Sequence, residues 1–278
     1  MAMLPNPLPQ LADDPTGSVL GLRLPPGTLV DMTIDGQWHE PLLWYADGPA
    51  APDAWEALLP ARAAGLHPVL IELDEKGHDG PGDWDLMPQE TSYPGDYDPE
   101  EILADAWDFD DEPDDEELEF LEPYGREWPG LAPKPSPGRG GATDLDADDR
   151  AAEITADLIR TGWLDDPRAA LVHARRSADI PAAIGWSGPV NHESDVAVLC
   201  AVLRSWEDRF GIRVIALSFD RLTVSVAVPP TTLEDAEAVA AEHYAFCPDN
   251  IEQGDHDTLG EYAEKAVLGK HTWHFWWD

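Results

Sequence analysis

The chain is short of cations and of cysteine. Its 278 residues hold 17 Lys and Arg against 56 Asp and Glu, a formal charge of −39. Sequence-independent binding to nucleic acid needs Lys and Arg to displace counterions from phosphates, so no direct nucleic-acid binding is expected. Docking on anionic membrane surfaces is disfavoured for the same reason. Two cysteines, Cys200 and Cys247, are too few for a disulfide scaffold. No apolar run approaches the roughly 18 residues of a membrane span. The start, Met1-Ala2-Met3-Leu4-Pro5, lacks the basic region and unbroken apolar stretch of a secretory leader. A cytoplasmic protein with reduced thiols is the expectation.

Catalytic signatures are missing as well. There is no Gly-x-x-x-x-Gly-Lys-Ser/Thr loop, no Gly-x-Gly-x-x-Gly after a strand and no Gly-x-Ser-x-Gly elbow. No catalytic residue is assigned, and no cofactor is expected.

What the chain does have is apolar material and unevenly placed charge. Hydrophobic residues make up 43% and Trp alone numbers 12, ample for a buried core. Residues 72–127 carry 23 acids against Lys76 and Arg126, and residues 100–122 hold 13 acids with no cation. Residues 129–141 follow with four Pro and four Gly, the composition of an extended linker. This divides the chain into an N-terminal α/β lobe (1–73), an acidic and Pro/Gly-rich insertion (74–143) and a C-terminal α+β domain (144–278).

Local patterns predict the elements. Residues 41–45 and 68–73 are short apolar runs suited to buried strands, with a helix predicted between Asp53 and Gly65. A second helix runs from Asp146 to a stop at Gly162. A third opens at Ser194, places Val196, Leu199, Leu203, Trp206 and Phe210 on one stripe, and closes at Gly211. Two strands follow, 212–219 and 222–228, turning at Asp220-Arg221. Thr231 with Glu234 reads as a capping box for a helix reaching Phe246, and a shorter helix follows from Thr258 to Val267. The closing segment, read as a strand, puts Trp273, Phe275 and Trp277 on one face, and that payload predicts an internal strand. The fold class is α+β, with a central mixed sheet, packed helices and a C-terminal aromatic strand.

The run Ala201-Val202-Leu203-Arg204-Ser205-Trp206-Glu207-Asp208-Arg209-Phe210-Gly211 is one of four ordered motifs. The others are Val228-Pro229-Pro230-Thr231-Thr232, His243-Tyr244-Ala245-Phe246-Cys247-Pro248-Asp249-Asn250 and Trp273-His274-Phe275-Trp276-Trp277-Asp278. Together they resemble the bacterial family known as domain of unknown function 4253, closely over residues 171–278 and more loosely around Leu42-Leu43-Trp44. The resemblance implies no activity for any residue, and the acidic middle looks like a lineage-specific insertion.

Three groups of residues carry candidate chemistry. If the helix reaches Cys247, His243 and Cys247 stand at i and i+4, where both can ligate a divalent metal with Asp249 and His256. The same pair can instead supply a thiolate and its base, the core of a small cysteine-dependent enzyme. The plainer reading, which we prefer, makes Cys247 a small buried hydrophobe and Asp249 a cap. His271 and His274 lie three apart on a strand and point to opposite faces.

The acidic run is the second group. As a single helix, residues 100–122 would span ~35 Å at ~1.5 Å per residue. Its carboxylates, with Trp107, Phe109 and Phe120 as apolar anchors, suit contact with a basic protein partner. Asp110, Asp111, Glu116 and Glu117 are the acidic contacts in this reading, that of a non-catalytic acidic binding protein. The plainer alternative is a solubilising insertion whose aromatics dock on the protein's own surface. Third, Arg175-Arg176 is a rare basic pair that either binds an anion or bridges neighbouring carboxylates.

Overall fold

The computed structural model describes residues 5–73, 80–108, 115–135 and 146–278, with residues 115–117 described through their backbone alone. Its centre is a seven-stranded mixed sheet. The strands are β1 (Gly27–Val30), β4 (Leu43–Ala46), β5 (Leu66–Glu72), β6 (Pro167–His173), β7 (Ile212–Leu217), β8 (Arg221–Val226) and β9 (Thr272–Trp276). Strands β2 (Met32–Thr33) and β3 (Gly36–Gln37) form a separate small hairpin.

The order across the sheet is β1-β4-β6-β5-β7-β8-β9. Strand β6 lies between β4 and β5 and is antiparallel to both, with Leu43 opposite Val172 and Leu66 opposite His173. Strands β4 and β5 therefore run parallel, as a strand–helix–strand crossover requires. The one parallel neighbour pair is β5 with β7. Every residue of β5 is buried, the pattern of a strand covered on both faces. Val69 and Ile71 face the large core beneath the Val196–Phe210 and Leu233–Phe246 helices. Leu66 and Leu70 face the other side, where the Ala147–Thr161 helix and Trp55 pack.

Helix ends follow local chemistry. The Asp146 side chain accepts from Asp148 N, and Gly162 closes that helix in the left-handed region at φ +68. Asp195, one residue after the predicted Ser194, caps the next helix by accepting from Ala197 N. The capping pair predicted at Thr231 and Glu234 also lies one residue on. Thr232 is still extended at φ −113, ψ 153, and its hydroxyl accepts from Asp235 N. The predicted 53–65 helix is α-helical over Ala54–Leu58 and tightens to a 3₁₀ form over Leu59–Ala64, where Pro60 removes a donor.

Two expectations are corrected. Strand β9 is the edge of the sheet, not an internal strand. Its aromatic face is buried from one side by helices: Phe275 stacks on Trp206 at 5.4 Å, while Trp277 meets Phe246 and Trp186 edge-on. One covered face is enough to bury that payload. The acidic run is not one 35 Å helix either. A helix over Pro99–Trp107 ends where Asp108 turns extended, and a second spans Asp115–Phe120. Among the described residues no helix is long and apolar enough to cross a membrane.

Candidate functional site

His243 lies on the last turns of the Leu233–Phe246 helix, with no solvent exposure. Rings surround it: Trp273 at 4.6 Å, Phe275 at 4.9 Å and Trp206 at 5.0 Å between centroids, all edge-on. Asn250 Nδ2 donates to the Tyr262 hydroxyl at 3.1 Å, and that hydroxyl lies 3.0 Å from His243 Nδ1. The other ring nitrogen, Nε2, is buried with no hydrogen-bond partner among the described residues. Burial first, and the Arg209 charge second, depress the imidazole pKa to about 3. The ring is neutral at physiological pH.

Cys247 is turned elsewhere. It ends the helix at φ −154, ψ 81, and its thiol donates to Trp276 O at 3.0 Å. Burial pushes its pKa up to about 12. Asp249 accepts from Gln253 Nε2 and Asp278 N, both at 3.0 Å. The half-buried His256 ring lies edge-on to Tyr262 at 5.4 Å. His243, Cys247 and Asp249 thus bond to different partners, and His256 makes a ring contact with Tyr262. Among the described residues, no group of three or more His, Cys, Asp or Glu is disposed to hold a metal ion. Burial opposes ionisation of both the Cys247 thiol and the His243 imidazole.

The acidic segment is anchored by its apolar side chains. Leu103, Trp107 and Leu121 are buried in the large core, and the Trp107 ring meets Tyr244 at 5.6 Å and Trp128 at 5.8 Å. Half-buried Phe120 reaches Tyr244 at 6.0 Å. Trp107 and Phe120, read from the sequence as anchors for a partner, grip the protein's own Leu233–Phe246 helix. Phe109, Asp110 and Asp111 lie outside the described residues, as do the side chains of Glu116 and Glu117. Glu100, Glu101, Asp105, Glu119, Glu122 and Glu127 all face solvent. Neighbouring acids on the supporting helix add to this field. Burial first, then the charges of Glu237, Glu234 and Asp235, raise the Tyr124 pKa.

A further pin holds the segment's far end. Glu242 is fully buried and accepts from Ala132 N, from Trp206 Nε1 and from both terminal nitrogens of Arg209. The start of the Pro/Gly stretch is thereby bonded to the core rather than left loose.

The structure also assembles a cleft that sequence reasoning did not find, with a volume of about 500 Å³. Trp38, Glu40 and Leu42 come from the N-terminal part, Tyr93 from the loop before the acidic helix, and His173 and Arg175 from the end of β6. Arg204 donates to both oxygens of Asp179, at 2.5 and 2.8 Å. The guanidinium carbons of Arg175 and Arg204 lie 4.6 and 4.8 Å from the Tyr93 ring centroid, and Arg175 Nη1 donates to the Tyr93 hydroxyl at 2.9 Å. The bond to Arg204 first, then its charge, lower the Tyr93 pKa. The Arg175-Arg176 pair was the one signal for this site, and the fold divides it. Arg176 bridges Glu207 and Asp208, whereas Arg175 has no carboxylate partner among the described residues.

Comparison with known proteins agrees with the motifs. Residues 168–278 match the family described as domain of unknown function (DUF4253), from the start of β6 to the end of the chain. No curated protein and no solved structure matches the chain.

Proposed function

We propose that the protein is a non-catalytic binding protein that contacts a basic protein partner through an ordered acidic face. One observation carries this reading: Leu103, Trp107, Phe120 and Leu121 of the acidic segment pack on the protein's own core, and the carboxylates described beside them stay exposed. Glu100, Glu101, Asp105, Glu119 and Glu122 are among them. Crowding like charges disfavours the isolated protein, and a cationic partner relieves the repulsion. Charge complementarity of this kind raises association rates and weakens as salt screens it.

The test compares two variants of equal net charge. One converts Glu100, Glu101, Asp105, Glu119 and Glu122 to amides. The other does the same to Asp13, Asp53, Glu56, Asp149 and Glu264, exposed acids elsewhere. Titration with a lysine-rich peptide is expected to weaken in the first variant and hold in the second. Equal loss in both would reduce the effect to net charge and overturn the reading. Deleting residues 100–122 is a poorer test, since it strips Leu103, Trp107 and Leu121 from the core.

A further inference from the structure

We propose that the cleft formed by Trp38, Glu40, Tyr93 and Arg175 binds a small zwitterion, an α-amino acid or a short peptide held by its two charged ends. The charges in the cleft carry this. In a chain so rich in carboxylates, Arg176, Arg204, Arg209 and Arg213 all sit in ion pairs. Arg175 does not. It is laid over the Tyr93 ring and fixed by one bond from Nη1, which leaves its other nitrogens without an acceptor among the described residues. A guanidinium whose remaining nitrogens are free can receive a carboxylate through two parallel bonds.

Glu40 lines the same cleft, is exposed, and has no hydrogen-bond or ion-pair partner among the described residues. It does not pair with Arg175. One cavity therefore offers an uncommitted anion and an uncommitted cation that do not neutralise each other. Asp179, the other carboxylate of the cleft, is held at both oxygens by Arg204.

These charges select among ligand classes. A phosphate dianion meets Glu40 and the field of a chain carrying −39, both repulsive. A simple cation meets Arg175. A zwitterion has no net charge for the long-range field to oppose, and its two ends match the two side chains. Trp38, Leu42 and Pro94 offer apolar surface for its body. The cleft volume falls within the range of small-molecule sites, on the order of 300–1,000 Å³.

Isothermal titration of the full chain tests this with phenylalanine, leucine and glycylphenylalanine as zwitterions. N-acetylphenylalanine, phenylalanine amide and inorganic phosphate are the charge controls. At least one zwitterion is expected to bind one to one, with the single-charge analogues weaker by about tenfold or more, the effect of one charge-assisted contact. Arg175→Gln should weaken the zwitterion by a similar factor without further weakening the amide. Glu40→Gln should do so without further weakening the N-acetyl compound. Both side chains are exposed, so unchanged thermal unfolding of the variants will confirm that they fold. A free amino acid binding more tightly than the dipeptide identifies the source as amino acids, and the reverse order as peptides. No binding by any zwitterion at millimolar concentration overturns the proposal. So does equal binding of N-acetylphenylalanine or phosphate, or wild-type affinity in both variants.

Discussion

Arg209 and Glu242 meet through two parallel bonds, Nη1 to Oε1 at 2.7 Å and Nη2 to Oε2 at 2.6 Å. The carboxylate has no exposure, and the guanidinium is nearly as deeply set. The same oxygens accept from Ala132 N and Trp206 Nε1, so one pair joins two helices, the segment after the acidic run and the aromatic core.

Removing one member of this pair should be severe. Glu242→Ala leaves Arg209 buried without its counter-charge, and the expected loss is about 3–5 kcal/mol. Replacing both residues by apolar ones should not restore wild-type stability, because Ala132 N and Trp206 Nε1 still lose their acceptor. Urea unfolding of the single and double variants measures both effects, and a fully restored double variant would show that these two donors contribute nothing.

Trp107→Ala should cost about 3–5 kcal/mol, the range for deleting a large buried aromatic side chain. Amide substitution of exposed Glu100 should leave stability within about 0.5 kcal/mol of wild type. Chemical denaturation of the two variants side by side tests whether the segment is held by its apolar residues. Similar small effects would mean that it is not docked in solution.

His243 gives stability a pH dependence of known sign. Its folded pKa is about 3 against 6.5 for the free side chain. Between these values the unfolded chain binds the proton and the native state does not, so stability falls as pH drops through that window. His67 and His274, both depressed to about 4 by burial first, act in the same direction. Unfolding curves of wild type and His243→Phe from pH 7 to pH 3 should show the variant losing less. Parallel curves would mean that His243 takes up its proton within the fold.

Both thiols should be inert in the native protein. Burial is the leading cause that raises the pKa of Cys247 to about 12 and moves that of Cys200 in the same direction. A thiol reagent is expected to label neither until the chain unfolds, and then both. Fast labelling of native Cys247 at neutral pH would place a reactive thiolate where the geometry shows a donor to Trp276 O.

Much of the fold was legible in local sequence, because helix stripes, left-handed glycine stops and alternating apolar positions are local physics. The Ala147–Thr161 helix with Asp146 and Gly162 at its ends is a direct case. The capping pair at Thr232 and Asp235 fell one residue from its predicted place, since neighbouring Thr and acidic residues satisfy the same pattern. The interleaving of β6 between β4 and β5 had no local signal, because strand partners far apart in sequence are chosen by the whole sheet.

The sequence by itself determined the charge, the class of elements, the aromatic strand and the four motifs within the stretch that matches the family. Tertiary structure decided what those residues face. It turned Trp107 and Phe120 inward, because apolar area gains more against Tyr244 than in water. It buried His243 and Cys247 on separate partners, where desolvation suppresses their ionisation. It also separated Arg175 from Arg176, giving one to carboxylates and the other to a cleft built from three distant parts of the chain. Spacing in sequence states which groups can meet on one element, whereas long-range packing selects which of them do.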